Sequence, residues 1–173
     1  MSKLEYLKMI KKILFTILLS ITLISNSYSA GSSGGEGDGP KNKTNYEKAV
    51  KFIKFAKKHE EKGKKDKAKS NYEKALKLLL KSNSKKPNKP DTLNYLGFTS
   101  RKLGDFENGE KYYLQGLAIN PYHIGINEYL GELYVATNRH NLAVERLEVL
   151  KGCDCKEYDD LKAIIAGEKI SKY

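Results

Sequence analysis

The segments NYLGF (residues 94–98) and EYLGE (residues 128–132) write the same Tyr-Leu-Gly triplet twice, 34 residues apart, inside stretches that otherwise have helical spacing. Glycine in a helix interior is about 1 kcal/mol less favourable than alanine, so a glycine that returns in register requires a packing reason. Aligning the triplets also aligns their surroundings. Gly97 falls on Gly131, Gly109 on Ala143 and Tyr113 on Leu147, while Gly104 falls on Asn138, the next best residue for a left-handed helix end. Leu103 over Thr137 is a mismatch. A third copy lies upstream: Ala68, Tyr72 and Ala75 in DKAKSNYEKAL (66–76) stand at the spacing of Gly109, Tyr113 and Gly116, and Gly63 matches Gly104. That offset is 41 residues, so seven extra have entered, and KSNSKKPNKP (81–90) is the stretch expected to hold them.

Two antiparallel helices reach the short end of the roughly 8–10 Å interaxial range only if the residues at their crossing are small. Each copy supplies such a pair: Ala56 with Ala68, Gly97 with Gly109, and Gly131 with Ala143. Tyr72, Tyr113 and Leu147 follow four positions on, as bulky filler on the same face. Punctuation agrees with helix pairs. Asp91 after Pro90 is read as the cap of one helix, Gly104 as its end, and Asp105 as the cap of the next, which stops before NPYH (120–123). After the third pair, Tyr158, Leu161, Ile164 and Ile165 recur at helical spacing. They predict a final helix that covers the last apolar face of a stack. No alternating strand pattern of useful length is present, and the expectation is seven helices in an all-α α-solenoid.

A 34-residue period is that of a helix-turn-helix repeat, and this set of small, aromatic and turn residues resembles the tetratricopeptide repeat family. The middle copy, 90–123, carries Leu93, Leu96, Gly97, Gly109, Tyr113, Gly116 and Pro121 where the family pattern wants them, with Ser100 in place of an aromatic. The last copy, 124–157, keeps Leu130, Gly131, Tyr134, Ala143 and Leu147, and the first, 49–82, keeps Phe52, Phe55, Ala56, Ala68, Tyr72 and Ala75. The resemblance implies three helix pairs plus a C-terminal capping helix at about 156–170, within a domain spanning 44–173. It also implies a concave groove lined by the first helix of each pair, which binds a peptide or protein segment. On the family's pattern the groove positions are Lys57, with Ile53 and Lys54 beside it; Asn94, Tyr95, Phe98, Arg101 and Lys102; and Glu128, Tyr129 and Glu132. Tyr95 and Tyr129 repeat in register and are the leading anchors, because large amphipathic rings suit peptide contact. Some family members clamp a peptide's terminal carboxylate with a fixed set of Lys, Asn and Arg; that set is not matched as a whole here.

The N-terminus has a separate character. MSKLEYLKMIKK carries four lysines, ILFTILLSITLI (13–24) has no charge, and SNSYSA (25–30) is small and polar. This is the order of a secretory signal peptide, which implies cleavage near residue 30 and a periplasmic or secreted protein. The apolar run is shorter than the roughly 20 residues a membrane span needs. GSSGGEGDGP (31–40) has five glycines in ten residues, so 31–43 is read as a flexible linker. Charge is uneven: residues 41–90 hold 18 Lys against 5 acids, whereas 91–173 hold 10 Lys and Arg against 13 acids. The formal net charge of +11 therefore belongs to one end. Lysine runs without interleaved aromatics or a base-reading motif give no nucleic-acid signature. Weak contact with an anionic membrane surface is the secondary expectation for that half.

Little else carries chemistry. His59, His123 and His140 stand apart, and no phosphate loop, nucleophile elbow or HExxH segment occurs, so the chain is read as a non-enzyme with no cofactor. Cys153 and Cys155 are its two cysteines. In an exported chain an even pair normally closes into a disulfide, although so tight a ring forces a break near a helix end. A reduced or intermolecular pair and a soft-metal Cu(I) site are the alternatives. The reading that results is an exported interaction module for a protein or peptide partner, monomeric or weakly self-associating. Its rivals are a Lys-rich electrostatic scaffold and a small Cys-x-Cys redox or metal-handling protein.

Overall fold

The computed structural model describes Glu5 and residues 43–170; apart from Glu5, the signal peptide read at 1–30 and the linker up to residue 42 lie outside the described residues. The described part of the unit Lys41–Tyr173 is built of helices α1 (Asn45–Glu61), α2 (Lys65–Lys85), α3 (Pro90–Lys102), α4 (Phe106–Ile119), α5 (Ile124–Ala136), α6 (His140–Leu150) and α7 (Lys156–Ile165), with no strand among them. The helices pack as three pairs, α1 with α2, α3 with α4 and α5 with α6, stacked in sequence and closed by α7, which lies against α5 and α6. The expected solenoid of three pairs and a cap is the observed one. No helix among the described residues is long and apolar enough to cross a membrane.

Local chemistry sets the helix ends. Thr44 opens α1 with a capping box: the Glu47 N–H donates to Thr44 Oγ1 (3.2 Å) and the Thr44 N–H to Glu47 Oε2 (2.7 Å). Gly63, Gly104 and Asn138 adopt φ of 67°, 89° and 59°, the left-handed conformation expected at the equivalent turn of all three repeats. Asp105 caps α4 by accepting from the Asn108 N–H, as the spacing predicts. Asp91 does not cap α3. The cap is Lys89, because Pro90 takes the first helical position, where a fixed φ and a missing N–H cost nothing. Asp91 instead faces His123, whose Nε2 lies 3.1 Å from Asp91 Oδ1 and whose Nδ1 accepts from the Ile126 N–H. One imidazole thus caps α5 and ties it to α3.

The seven extra residues of the first repeat do not form a loop. Helix α2 runs 21 residues against 14 for α4, and seven residues are about two turns. The insertion lengthens the helix through Lys85.

The core runs through every pair. Ala49, Ile53 and Ala56 pack with Ala68, Tyr72, Ala75 and Leu79, and with Leu93, Leu96 and Phe98 of α3. Tyr113 and Leu117 pack with Ile126, Leu130, Leu133, Tyr134 and Ala143. The repeated glycines have a sharper role than a small–small crossing. A Cβ on Gly109 would lie 3.3 Å from the Gly97 carbonyl oxygen, so those two backbones do meet, but a Cβ on Gly97 would fall 2.4 Å from the Tyr113 ring. A Cβ on Gly131 would fall 2.6 Å from a Leu161 methyl. Gly97 is the seat of its own partner helix's tyrosine, and Gly131 the seat of the capping helix's leucine.

Candidate functional site: the concave groove

Helices α1, α3, α5 and α7, with the start of α2, enclose a cavity of about 930 Å³ on the concave side. Of the positions read from the sequence, it brings together Lys57, Phe98, Arg101, Lys102, Glu128, Tyr129 and Glu132. Asn94 and Tyr95 do not line it. They share a helix face with 98, 101 and 102, but one turn nearer the start of α3, where the face is already covered. Tyr95 packs its ring 5.8 Å from that of Tyr46, and the Asn94 amide lies against Gly125. The in-register tyrosine pair is therefore split between two environments. Ile53 belongs to the core, and Lys54 is exposed.

The floor is aromatic. Phe98 and Tyr129 approach with ring centroids 5.1 Å apart, and Tyr72 meets Phe98 edge-on at 5.9 Å. Lys57 Nζ stands 4.6 Å from the Phe98 centroid and 5.9 Å from that of Tyr129, within cation–π range. Desolvation in the groove lowers the Lys57 pKa, opposed by Glu128 and Glu132.

Arg101 is the most committed group. Its side chain is buried; one guanidinium nitrogen donates to the Tyr129 carbonyl at 2.8 Å and another pairs with Glu132 at 3.3 Å. The guanidinium carbon stands 5.3 Å from the Tyr129 ring centroid. Lys102 pairs with Glu60 (2.7 Å), whose other carboxylate oxygen accepts from the Tyr72 hydroxyl. Sequence reasoning missed Tyr72, Glu60 and the end wall. Asp160 of α7, held by Lys156 and by Lys169 (2.6 Å), closes the groove on its far side. A repeat pattern carries no register for a capping helix, so no periodic signal could have placed that wall.

Glu128 is 7% exposed and has no hydrogen-bond or ion-pair partner among the described residues. Burial, then Glu132, Glu157 and Asp160, push its pKa up from 4.5 to about 8, with Arg101 opposing. The folded chain thus holds this proton more tightly than the unfolded chain. The stability that this gives is complete below pH about 4.5 and is lost as pH rises through about 8. Glu128→Gln is expected to leave stability unchanged at pH 4 and to raise it by about 2 kcal/mol at pH 8, after allowance for the open side of the cavity. Urea unfolding at the two pH values measures the difference; an equal change at both would show that Glu128 is not held protonated.

Cys153 and Cys155 are joined by a disulfide in the turn between α6 and α7. The break in helix that so small a ring demands is present: Gly152 and Asp154, beside and between the cysteines, have φ of 89° and 45°. No group of three or more His, Cys, Asp or Glu among the described residues is placed to hold a metal ion.

Residues 55–78 and 91–123 match the model of the tetratricopeptide repeat family. They cover the turn of the first helix pair and the whole of the second. No curated protein matches the chain. Among solved structures, the first tetratricopeptide domain of Spaghetti (RPAP3), bound to the HSP90 peptide SRMEEVD, is similar with a TM-score of 0.52 at 18% identity, over 72% of this chain and 95% of that one. Repeat spacing, left-handed turns at equivalent positions, the two matched stretches and the shared fold agree: the described residues 43–170 have the fold of a tetratricopeptide-repeat solenoid, and residues 55–78 and 91–123 carry repeats of that family.

Proposed function

We propose that the chain is an exported adaptor that captures a peptide or protein segment in its concave groove. The single observation that carries this reading is the groove floor, where the Phe98 and Tyr129 rings lie together beneath an open cavity rimmed by both signs of charge. Aromatic anchors surrounded by polar groups are the usual composition of a binding hot spot, and stacked helices pre-organise them, so little ordering entropy is lost on binding. That a similar fold has been solved with a peptide bound supports the reading by analogy, and export rests on the leader pattern in residues 1–30.

Crosslinking capture from the native host's cell-envelope extract tests it. Tyr129→Ala is expected to reduce capture at least about tenfold while circular dichroism stays helical. Tyr95→Ala, outside the cavity, is expected to leave capture intact. Undiminished capture by Tyr129→Ala would overturn the groove as the site.

A second reading has its own observation. The exposed lysines of α1 and α2 form a cationic surface, and Lys43, Lys85, Lys86 and Lys89 line a further cavity of about 510 Å³. Binding that disappears between about 0.05 and 0.3 M salt, as the screening length falls below roughly 10 Å, identifies contact with an anionic membrane surface through these lysines.

A further inference from the structure

Four cations that line the cavity with Glu128 are held by other groups. Arg101 is held by Glu132 and the Tyr129 carbonyl, Lys102 by Glu60, and Lys156 and Lys169 by Asp160. Lys57, which also feels the Glu128 charge, lies over the Phe98 and Tyr129 rings. Glu128 is left as a residue more than nine-tenths buried that lines the cavity, its carboxyl group without a partner among the described residues. Around it Glu132, Glu157 and Asp160 add negative charge, so the end of the groove formed by α5 and α7 is acidic within a chain of net charge +11. The ring pair beside it already accepts an ammonium, because Lys57 places one there.

We propose that Glu128 receives a lysine or arginine side chain of the captured segment, whose aliphatic stem lies on Tyr129 and Phe98. An incoming cation would supply the missing ion pair and take over the aromatic surface that Lys57 covers, with Lys57 swinging outward on its flexible stem. A partly desolvated carboxylate gives such a contact specificity, since a neutral or acidic residue at that position would leave it buried and unpaired. The groove would then select for positive charge, against the long-range repulsion of the Lys-rich first repeat.

This rests on the groove being the binding site, and the two ideas fail differently. The probe is three pools of labelled heptapeptides, identical in their randomised flanks, with lysine, glutamine or glutamate fixed at the centre, titrated against the full chain at pH 8. The lysine pool is expected to bind about tenfold tighter than the glutamine pool. Glu128→Gln is expected to erase that preference. Glu148→Gln, an exposed acid of α6 paired with Lys151, is expected to preserve it. Equal binding of the lysine and glutamine pools, both abolished by Tyr129→Ala, would overturn the cation site and leave the groove standing. A lysine preference that survives Glu128→Gln, or a preference for glutamate, would also overturn it. Binding by none of the pools, or binding indifferent to Tyr129→Ala, would sink both.

Discussion

Gly97→Ala is expected to destabilise the folded chain by about 2 kcal/mol, although alanine is the better helix former. Propensity alone would stabilise by about 1 kcal/mol. Against it stands the new methyl, which would lie 2.4, 2.6 and 2.8 Å from three atoms of the Tyr113 ring. That ring is fully buried, and its hydroxyl has no hydrogen-bond partner among the described residues. Packing alone holds it in place. Overpacking of this kind costs about 1–3 kcal/mol and sometimes more. Gly131→Ala provides the contrast. Its methyl meets the two terminal methyls of Leu161, the far end of an aliphatic side chain smaller than a tyrosine ring, and the expected net change is below about 1 kcal/mol. In a double-mutant cycle, Tyr113→Leu is expected to recover at least about 1 kcal/mol of the Gly97→Ala loss. Equal costs at 97 and 131 in urea unfolding would place the strain in the helix backbones and contradict the ring-seat account.

That contrast marks what the sequence could and could not convey. The recurrence of Gly97 at 131 is visible in one dimension, and so are the turn residues Gly63, Gly104 and Asn138, because a left-handed helix end and a close approach each demand particular residue types. What each glycine accommodates is a three-dimensional matter: the alignment pairs both with their own partner helix, whereas Gly131 serves α7. Helix caps follow the same division. Asp105 acts locally and was legible; His123 caps α5 with a ring that also reaches Asp91, a tie between repeats that no local motif announces. In the groove, the face carrying 94, 95, 98, 101 and 102 was legible as one stripe. Its division into a covered first turn and an open remainder depends on Tyr46, which stands near the start of α1 and outside the repeat. The acidic end wall depends on α7, whose register the period does not fix.

Arg101→Met is expected to cost about 3–5 kcal/mol, the usual penalty for breaking a buried ion pair from one side. The loss exceeds that of a salt bridge alone. Arg101 is 3% exposed; without it the buried Glu132 carboxylate loses its guanidinium, the Tyr129 carbonyl loses its donor, and Glu128 loses the positive charge that opposes its raised pKa. Arg101→Lys is expected to recover only part of this, because an ammonium cannot reproduce the planar fork that reaches the carbonyl and the carboxylate together while lying near two rings. The sign of the pH dependence follows from the carboxylates. At pH 4 Glu128 is protonated, so the penalty is smaller there than at pH 8, where its charge must be carried without the opposing guanidinium. Urea unfolding of Arg101→Met at both pH values, alone and with Glu132→Gln, measures this. A penalty that is the same at both, and that Glu132→Gln does not reduce, would mean that the guanidinium acts through packing only. If the pH dependence is found, the group that fastens α3 to α5 also fixes Tyr129 and holds down the charge on Glu128, and the stability of the solenoid and the chemistry of its groove pass through one side chain.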